Sequence, residues 1–267
     1  MGMPRDLVLV RHGESEGNLA NKHSRDGDHS LFTDEFKARH SSFWRLTDKG
    51  RQQLEQSGRW IKSNIGRTFD RYYTSLHIRA MESAAHLKLP QAQWFATFLL
   101  RERSWGELEG ISYAERDERF AVDLERKKQS PLYWRPTSGE TMAELCHRVD
   151  RLMQTLHREC DGKQVIVVCH GETMWAIRFL IERMTQLHFR ELEQSREPWN
   201  HIMNGQIIHY TRRNPETSHV DKYIKWRRSI CVYDKKHGNG NWEPVVRRRF
   251  SNDQLLEYLR DIPQIVK

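Results

Sequence analysis

Leu7-Val8-Leu9-Val10-Arg11-His12-Gly13-Glu14-Ser15 is the most informative stretch of this 267-residue chain. Four consecutive apolar β-formers describe a strand buried on both faces, as in a parallel sheet covered by helices. The run stops abruptly in a cation, an imidazole and a glycine. In open α/β sheets, ligands bind at the carboxyl edge of the strands, and glycine permits a tight turn or a close backbone approach there. Alone, the stretch allows two readings. Either His12 acts on an anion that Arg11 helps hold, or a strand simply ends in a solvated Arg-His pair.

A second stretch repeats the pattern. Val165-Ile166-Val167-Val168-Cys169 is an apolar strand ending in His170-Gly171-Glu172. Two strands that end alike bring two imidazoles to one sheet edge. Between them, Phe69 to Ser75 reads as a strand, and residues 78–87 as a helix with Arg79 in its first turn. A cation is unfavourable at a helix N-terminus unless an anion is present. Gln93-Trp94-Phe95 is a short third strand, followed by a glycine-punctuated loop that carries Glu102.

Helical patterns cover 48–64, entered through Leu46-Thr47 with Thr47 as N-cap, and 112–127. Another helix starts from Thr137 to Thr141 and has a core stripe of Met142, Leu145, Val149, Leu152, Met153 and Leu156. Further elements are a helix from Met174 to Met184 and a strand after the turn at 203–205. Strands at 223–233 and 244–250 flank the turn His237-Gly238-Asn239-Gly240-Asn241, and a last helix spans 251–260. Alternating strands and helices predict an α/β fold: a three-layer α/β/α sandwich with a mostly parallel central sheet and a C-terminal β-hairpin extension. One domain is expected over 1–267, with a core of about 5–211, an insertion at 22–46 and an extension at 212–267. The polar insertion reads equally as a substrate loop or as a solvated excursion.

Composition narrows the function classes. Lys plus Arg number 44 and Asp plus Glu 36, a net charge of +8 with a pI near 9.4. Such a surface attracts anions. Nucleic acid is a conceivable partner, but no sequence feature selects it. Cys146, Cys160, Cys169 and Cys231 have neither disulfide-framework nor zinc spacing. No signal peptide and no apolar run of about 18 residues is seen, so a cytoplasmic location without a membrane partner is expected. Oligomeric state is not encoded legibly.

Two histidines and two arginines converging on one edge suit a phosphoryl dianion. Arginine's planar fork binds phosphate oxygens in pairs and stays charged. Phosphoryl transfer depends chiefly on charge stabilisation and positioning. A neutral imidazole can attack phosphorus covalently, and a leaving alkoxide needs a proton from a nearby acid. Glu102 is the candidate acid, and Arg103 could orient it or touch substrate. Glu107 and Glu109 lie close by.

These motifs together resemble the histidine phosphatase superfamily, phosphoglycerate mutase-like branch. The resemblance rests on Arg11-His12-Gly13 with Glu14-Ser15-Glu16-Gly17-Asn18, Leu46-Thr47-Asp48-Lys49-Gly50, Ser75 to Ala80, Glu102-Arg103-Ser104-Trp105-Gly106 and His170-Gly171-Glu172. It implies that His12 is the nucleophile that becomes phosphohistidine. It implies that Arg11, Arg79 and His170 form the phosphate pocket, with Asn18 and the Gly171 backbone as further donors. Glu102 would be general acid and then base, His170 would belong to the catalytic set, and no metal or cofactor would be needed. Trp105 stands where mutases carry a tyrosine, and Arg126-Lys127-Lys128 is a poor substitute for their arginine pair. That departure favours a phosphomonoesterase acting on a phosphorylated small molecule. The alternatives are a phosphoglycerate mutase-type transferase and a polyanion-binding protein using the basic C-terminal region.

Overall fold

The computed structural model describes residues 2–266. In chain order the elements are β1 (Asp6–Arg11), α1 (Glu16–Arg25), α2 (Asp34–Ala38), α3 (Asp48–Asn64), β2 (Arg71–Ser75), α4 (Ile78–His86), β3 (Trp94–Thr97), α5 (Tyr113–Gln129), α6 (Met142–Glu159), β4 (Gln164–Cys169), α7 (Gly171–Glu182), α8 (Gln186–Gln194), β5 (Ile207–Thr211), β6 (Trp226–Ile230), β7 (Glu243–Pro244) and α9 (Asn252–Leu259). The strands form one sheet in the order β3-β2-β4-β1-β5-β6-β7.

Leu7, Val8, Leu9 and Val10 are all fully buried, and alternation splits them between two cores. Leu7 and Leu9 join Val165, Val167 and residues of α6, α7 and α8 on one face. Val8 and Val10 join Ile166, Val168 and residues of α3 and α4 on the other. Burying such a side chain stabilises by about 1.5–3 kcal/mol, so a one-residue slip of β1 would exchange the two sets. Helices on both faces of the sheet make three layers, as expected.

β1 to β4 form the parallel half. β5 then runs antiparallel to β1, β6 to β5 and β7 to β6, so the sheet as a whole is mixed. The C-terminal region therefore widens the central sheet. Its second strand is shorter than the expected 244–250: only Glu243–Pro244 pairs, and Pro244 lacks the N–H that a longer ladder would use. The helix expected from Thr137 starts at Met142, because Thr141 is the N-cap in a capping box with Glu144. α7 begins three residues before the expected Met174, at Gly171. The insertion is helical up to Arg25 and again over α2.

The turn after β1 is clamped onto α3. Thr47 Oγ1 caps α3 by accepting from Gly50 N at 3.1 Å, and the Thr47 hydroxyl donates to Glu14 Oε1 at 3.0 Å. A Cβ on Gly50 would lie 2.1 Å from the Glu14 carbonyl oxygen, and one on Gly13 would lie 2.3 Å from the Gly50 carbonyl oxygen. Both glycines are thus required by close backbone approach, which explains the Leu-Thr-x-x-Gly spacing physically.

Much of the basic C-terminal cluster is consumed internally. Arg227 pairs with Glu182 at 2.8 Å and Glu243 at 3.2 Å. Arg228 lies over Trp60 and Trp242, at 5.0 and 4.4 Å from the ring centroids. The four cysteines are buried and free. Among the described residues no helix is long and apolar enough to cross a membrane.

Candidate active site

Register brings the two histidine motifs together. Arg11 pairs with Cys169, and His12 N donates to the Cys169 carbonyl at 2.9 Å. The next residue on each strand is therefore an imidazole, and the His12 and His170 rings sit 5.1 Å apart. The turn before β5 pins the same strand end from its other side. Gly205 N reaches the Arg11 and His12 carbonyls at 3.1 Å, and Asn204 Nδ2 also reaches the His12 carbonyl at 3.1 Å. Gly205 has φ +71°, a conformation that favours glycine.

The bonds of His12 define its tautomer. Nδ1 lies 2.7 Å from the Gly13 carbonyl, which can only accept, so Nδ1 carries the proton. Nε2 is then the lone pair, and it accepts a long 3.3 Å bond from Arg79 Nε. Burial, then the Arg79 and Arg11 charges, hold the imidazole well below its usual pKa. A neutral ring with its free nitrogen among cations is poised to attack an electrophilic phosphorus.

Cations surround it. Arg79 is 6 % exposed and donates through Nη1 to the Ser41 carbonyl at 2.7 Å; burial lowers its pKa to about 10, so it stays charged near neutrality. Arg11 donates through Nη1 to the Ile202 carbonyl at 2.5 Å, while its buried Nε has no partner. A Cβ on Gly171 would lie 3.3 Å from that Nε, so this glycine leaves room for the guanidinium beside the start of α7. The first turn of a helix presents unpaired N–H groups to an anion. His170, the α7 N-cap, binds Ser75 Oγ through Nε2 at 2.8 Å and keeps a buried Nδ1 without a partner. Asn18 also lines the cavity. Its Oδ1 accepts from Ser15 N, Ser15 Oγ and Asn204 Nδ2 at 3.0–3.1 Å, which leaves the amide's donor end for a ligand.

Glu102 is the buried carboxyl of this edge. Burial, then the neighbouring Glu172 carboxylate, push its pKa up to about 7, against Arg79 and Arg11. Its Oε1 accepts from Arg103 N at 3.1 Å. The Arg103 side chain, 2 % exposed, is committed elsewhere: Nε to the Glu140 carbonyl at 2.6 Å, Nη2 to the Trp134 carbonyl at 3.1 Å and Nη1 to Glu172 Oε1 at 3.4 Å. It is a positioning residue for this loop. Gly106, at φ +52°, lets the loop pack on 137–139, where a Cβ would lie 1.9 Å from the Thr137 carbonyl oxygen.

Arg11, His12, Asn18, Arg79 and Glu102 border one cavity of about 360 Å³. It adjoins a second of about 550 Å³, which shares Arg11 and Glu102 and adds Gly171 and Glu172. A larger cavity of about 690 Å³, around Ile181, Trp226 and Arg247, contains none of these groups. Trp226 pairs with Thr211, which pairs with Asp6, so that cavity neighbours the opposite sheet edge.

Three contributors were not assigned from sequence. His77 stacks edge-on against His170 at 4.9 Å, and burial lowers its pKa to about 3, so a third neutral imidazole backs the site. Its only sequence signal is its place between Ser75 and Arg79. Glu172 was legible as a motif letter but not as the carboxylate that tunes Glu102. Ser41 shows that the 22–46 insertion builds one wall of the site.

Comparisons with known proteins bear on family and fold. A family model described as the histidine phosphatase superfamily (branch 1) matches residues 7–212. A 2,3-bisphosphoglycerate-dependent phosphoglycerate mutase of Methylorubrum populi is 31% identical over 200 residues, covering 72% of this chain and 85% of the mutase. A 6-phosphofructo-2-kinase/fructose-2,6-bisphosphatase of Gallus gallus is 28% identical over 207 residues, 78% of this chain and 38% of that protein. Among solved structures, a mycobacterial glucosyl-3-phosphoglycerate phosphatase matches with a TM-score of 0.61 at 18% identity, covering 82% of this chain and 97% of its own. A phosphoserine phosphatase of Entamoeba histolytica matches with a TM-score of 0.59 at 20% identity, covering 78% and 91%. The two structural likenesses concern the fold.

Proposed function

The chain belongs to the histidine phosphatase superfamily, branch 1, and on that basis we propose that it is a metal-independent phosphomonoesterase working through a phosphohistidine on His12. The observation that carries the proposal is one arrangement: a neutral His12 with a free Nε2, between Arg11 and Arg79, beside a Glu102 whose pKa is about 7.

The steps follow from that arrangement. Arg11, Arg79, the donor end of Asn18 and the start of α7 bind the phosphoryl oxygens of a phosphorylated small molecule. His12 Nε2 attacks phosphorus, and the bond to the leaving oxygen breaks as Glu102 gives that oxygen its proton. Arg79, which donates to Nε2 at rest, transfers its hydrogen bond to a phosphoryl oxygen. Water then enters, Glu102 takes its proton, and the oxygen attacks phosphohistidine. Inorganic phosphate leaves, and His12 is neutral again. The charge that develops on the equatorial oxygens meets fixed cations in a site partly closed to water, the usual source of most rate enhancement.

Hydrolysis is favoured over mutase action. Lys127 lies over Trp105 at 5.2 Å, but its ammonium is already ion-paired with Glu193 at 2.9 Å. The internal use of Arg227 and Arg228 weighs against a polyanion-binding role. Purified protein is expected to release inorganic phosphate from p-nitrophenyl phosphate between mildly acidic and neutral pH, undiminished by excess EDTA. Turnover that required an added divalent metal, or none at all with a broad panel of phosphate esters, would contradict the proposal.

A further inference from the structure

Resting on that phosphatase reading, we infer that Arg148, which borders neither catalytic cavity, is the positioning residue that aims Glu102 at the leaving oxygen. Residues 101–105 have no regular secondary structure, so no sheet ladder or helix fixes the acid's backbone. Arg148 reaches that loop from α6 and gathers its carbonyls. Nη1 donates to the Leu99 carbonyl at 2.7 Å and to the Arg101 carbonyl at 3.0 Å, and Nη2 donates to the Glu102 carbonyl at 3.4 Å.

Glu140 holds the same guanidinium from its other edge. Nε donates to Oε1 at 3.0 Å and Nη2 to Oε2 at 2.8 Å, a bidentate pair whose side chains are 9 and 11 % exposed. The backbone of Glu140 is stitched to the acid loop as well. Its N–H donates to the Ser104 carbonyl at 2.9 Å, and its carbonyl accepts from Arg103 Nε at 2.6 Å. Glu102 follows this frame. Its Oε1 accepts from the next backbone N–H, that of Arg103, so the carboxyl's aim is tied to the backbone that Arg148 holds.

Only arginine can make this arrangement. The bonds to Leu99, Arg101, Glu102 and the two Glu140 oxygens occupy all five N–H groups of one planar guanidinium. A lysine ammonium offers three donors on a single tetrahedral nitrogen. It would keep the charge opposite Glu140 and release at least two of the five acceptors, leaving the loop less firmly placed.

Arg148→Lys therefore tests the inference with two esters. Glycerol 2-phosphate leaves as an alkoxide that needs the acid's proton, and p-nitrophenyl phosphate leaves as a phenolate that does not. kcat is expected to fall about 10- to 100-fold on the first and less than about threefold on the second, the scale of a misplacement of about 1 Å. KM for both should stay within about threefold, because Arg11 and Arg79 are anchored on the Ile202 and Ser41 carbonyls. Glu140→Gln removes the charge and one acceptor, should show the same selectivity, and stands in if Arg148→Lys fails to fold. In the Glu102→Gln chain, Arg148→Lys should change neither ester by more than about twofold, since the group it aims is gone. Equal losses on both esters, or a full further loss in the Glu102→Gln chain, would overturn the inference. If no ester turns over, the phosphatase reading fails separately, and ¹³C NMR of glutamate-labelled protein decides. The carboxyl resonance missing from Glu102→Gln should titrate near pH 7 in the unaltered chain, chiefly because it is buried. In Arg148→Lys a loosened loop admits water, and that midpoint should fall by about one pH unit or more. An unmoved midpoint would overturn the inference.

Discussion

Replacing His12 with alanine is expected to lower kcat on every phosphate ester by at least about 10³-fold, in line with removal of other covalent nucleophiles. The loss follows from chemistry, since the cavity wall survives. Arg79 keeps its bond to the Ser41 carbonyl and Arg11 its bond to the Ile202 carbonyl. The variant should therefore still bind inorganic phosphate, with an affinity within a few fold of the original. The backbone at 12 is held by Cys169, Asn204 and Gly205, none of which touches the ring. Thermal unfolding should therefore shift by only a few degrees. Steady-state hydrolysis alongside phosphate titration separates the two effects. A variant retaining a tenth of the original kcat would remove His12 from the nucleophile's place.

Glu102→Gln carries the second large effect, and leaving-group chemistry shapes it. An alkyl ester departs as a strongly basic alkoxide and needs the proton, so kcat should fall by about 10²–10⁴-fold. p-Nitrophenolate leaves without help, so its release should fall far less. pH adds a sign. Burial and Glu172 hold Glu102 near pKa 7. The acid is protonated below that value, so hydrolysis of alkyl esters limited by bond cleavage declines as pH rises through about 7. His12, held well below its ordinary pKa, stays neutral through the mildly acidic range and places no limb there. The alkaline limb near 7 should vanish in Glu102→Gln. Glu172→Gln removes the carboxylate charge that raises Glu102 and should move the limb to lower pH. Equal losses on alkyl and aryl esters in Glu102→Gln would deny it the acid's role.

The parts of this site that follow strand ends were legible in the sequence. An apolar run that stops in Arg-His-Gly, and another that stops in His-Gly-Glu, can only deliver those groups to a sheet edge. Arg79 was legible because a helix N-terminus is a poor place for a lone cation. What pattern does not contain is distance. The 5.1 Å meeting of His12 and His170 depends on β1 pairing β4 in a register that places Arg11 opposite Cys169. The acidity of Glu102 depends on Glu172, 70 positions along the chain, arriving beside it. His77 has no periodicity to betray it, and Arg25 of α1 and Arg116 of α5 both come to lie against Tyr113, the first residue of α5. The basic C-terminal run misleads for the opposite reason. Charge along the sequence looks solvated, yet Arg227 and Arg228 are tied to Glu182 and two tryptophans. Residues 244–250 read as a strand beside the glycine-rich turn, but only their first residue finds a partner on β6.

The central claim is that phosphorus passes through His12, and rapid quenching with a ³²P-labelled ester tests it most directly. The account predicts a label that is labile to acid, stable to base and located on the peptide containing His12. It should form within the first turnover, in the presence of EDTA, and be absent from the His12→Ala chain. Turnover with no protein-bound phosphate at any quench time, or label on another residue, would contradict it.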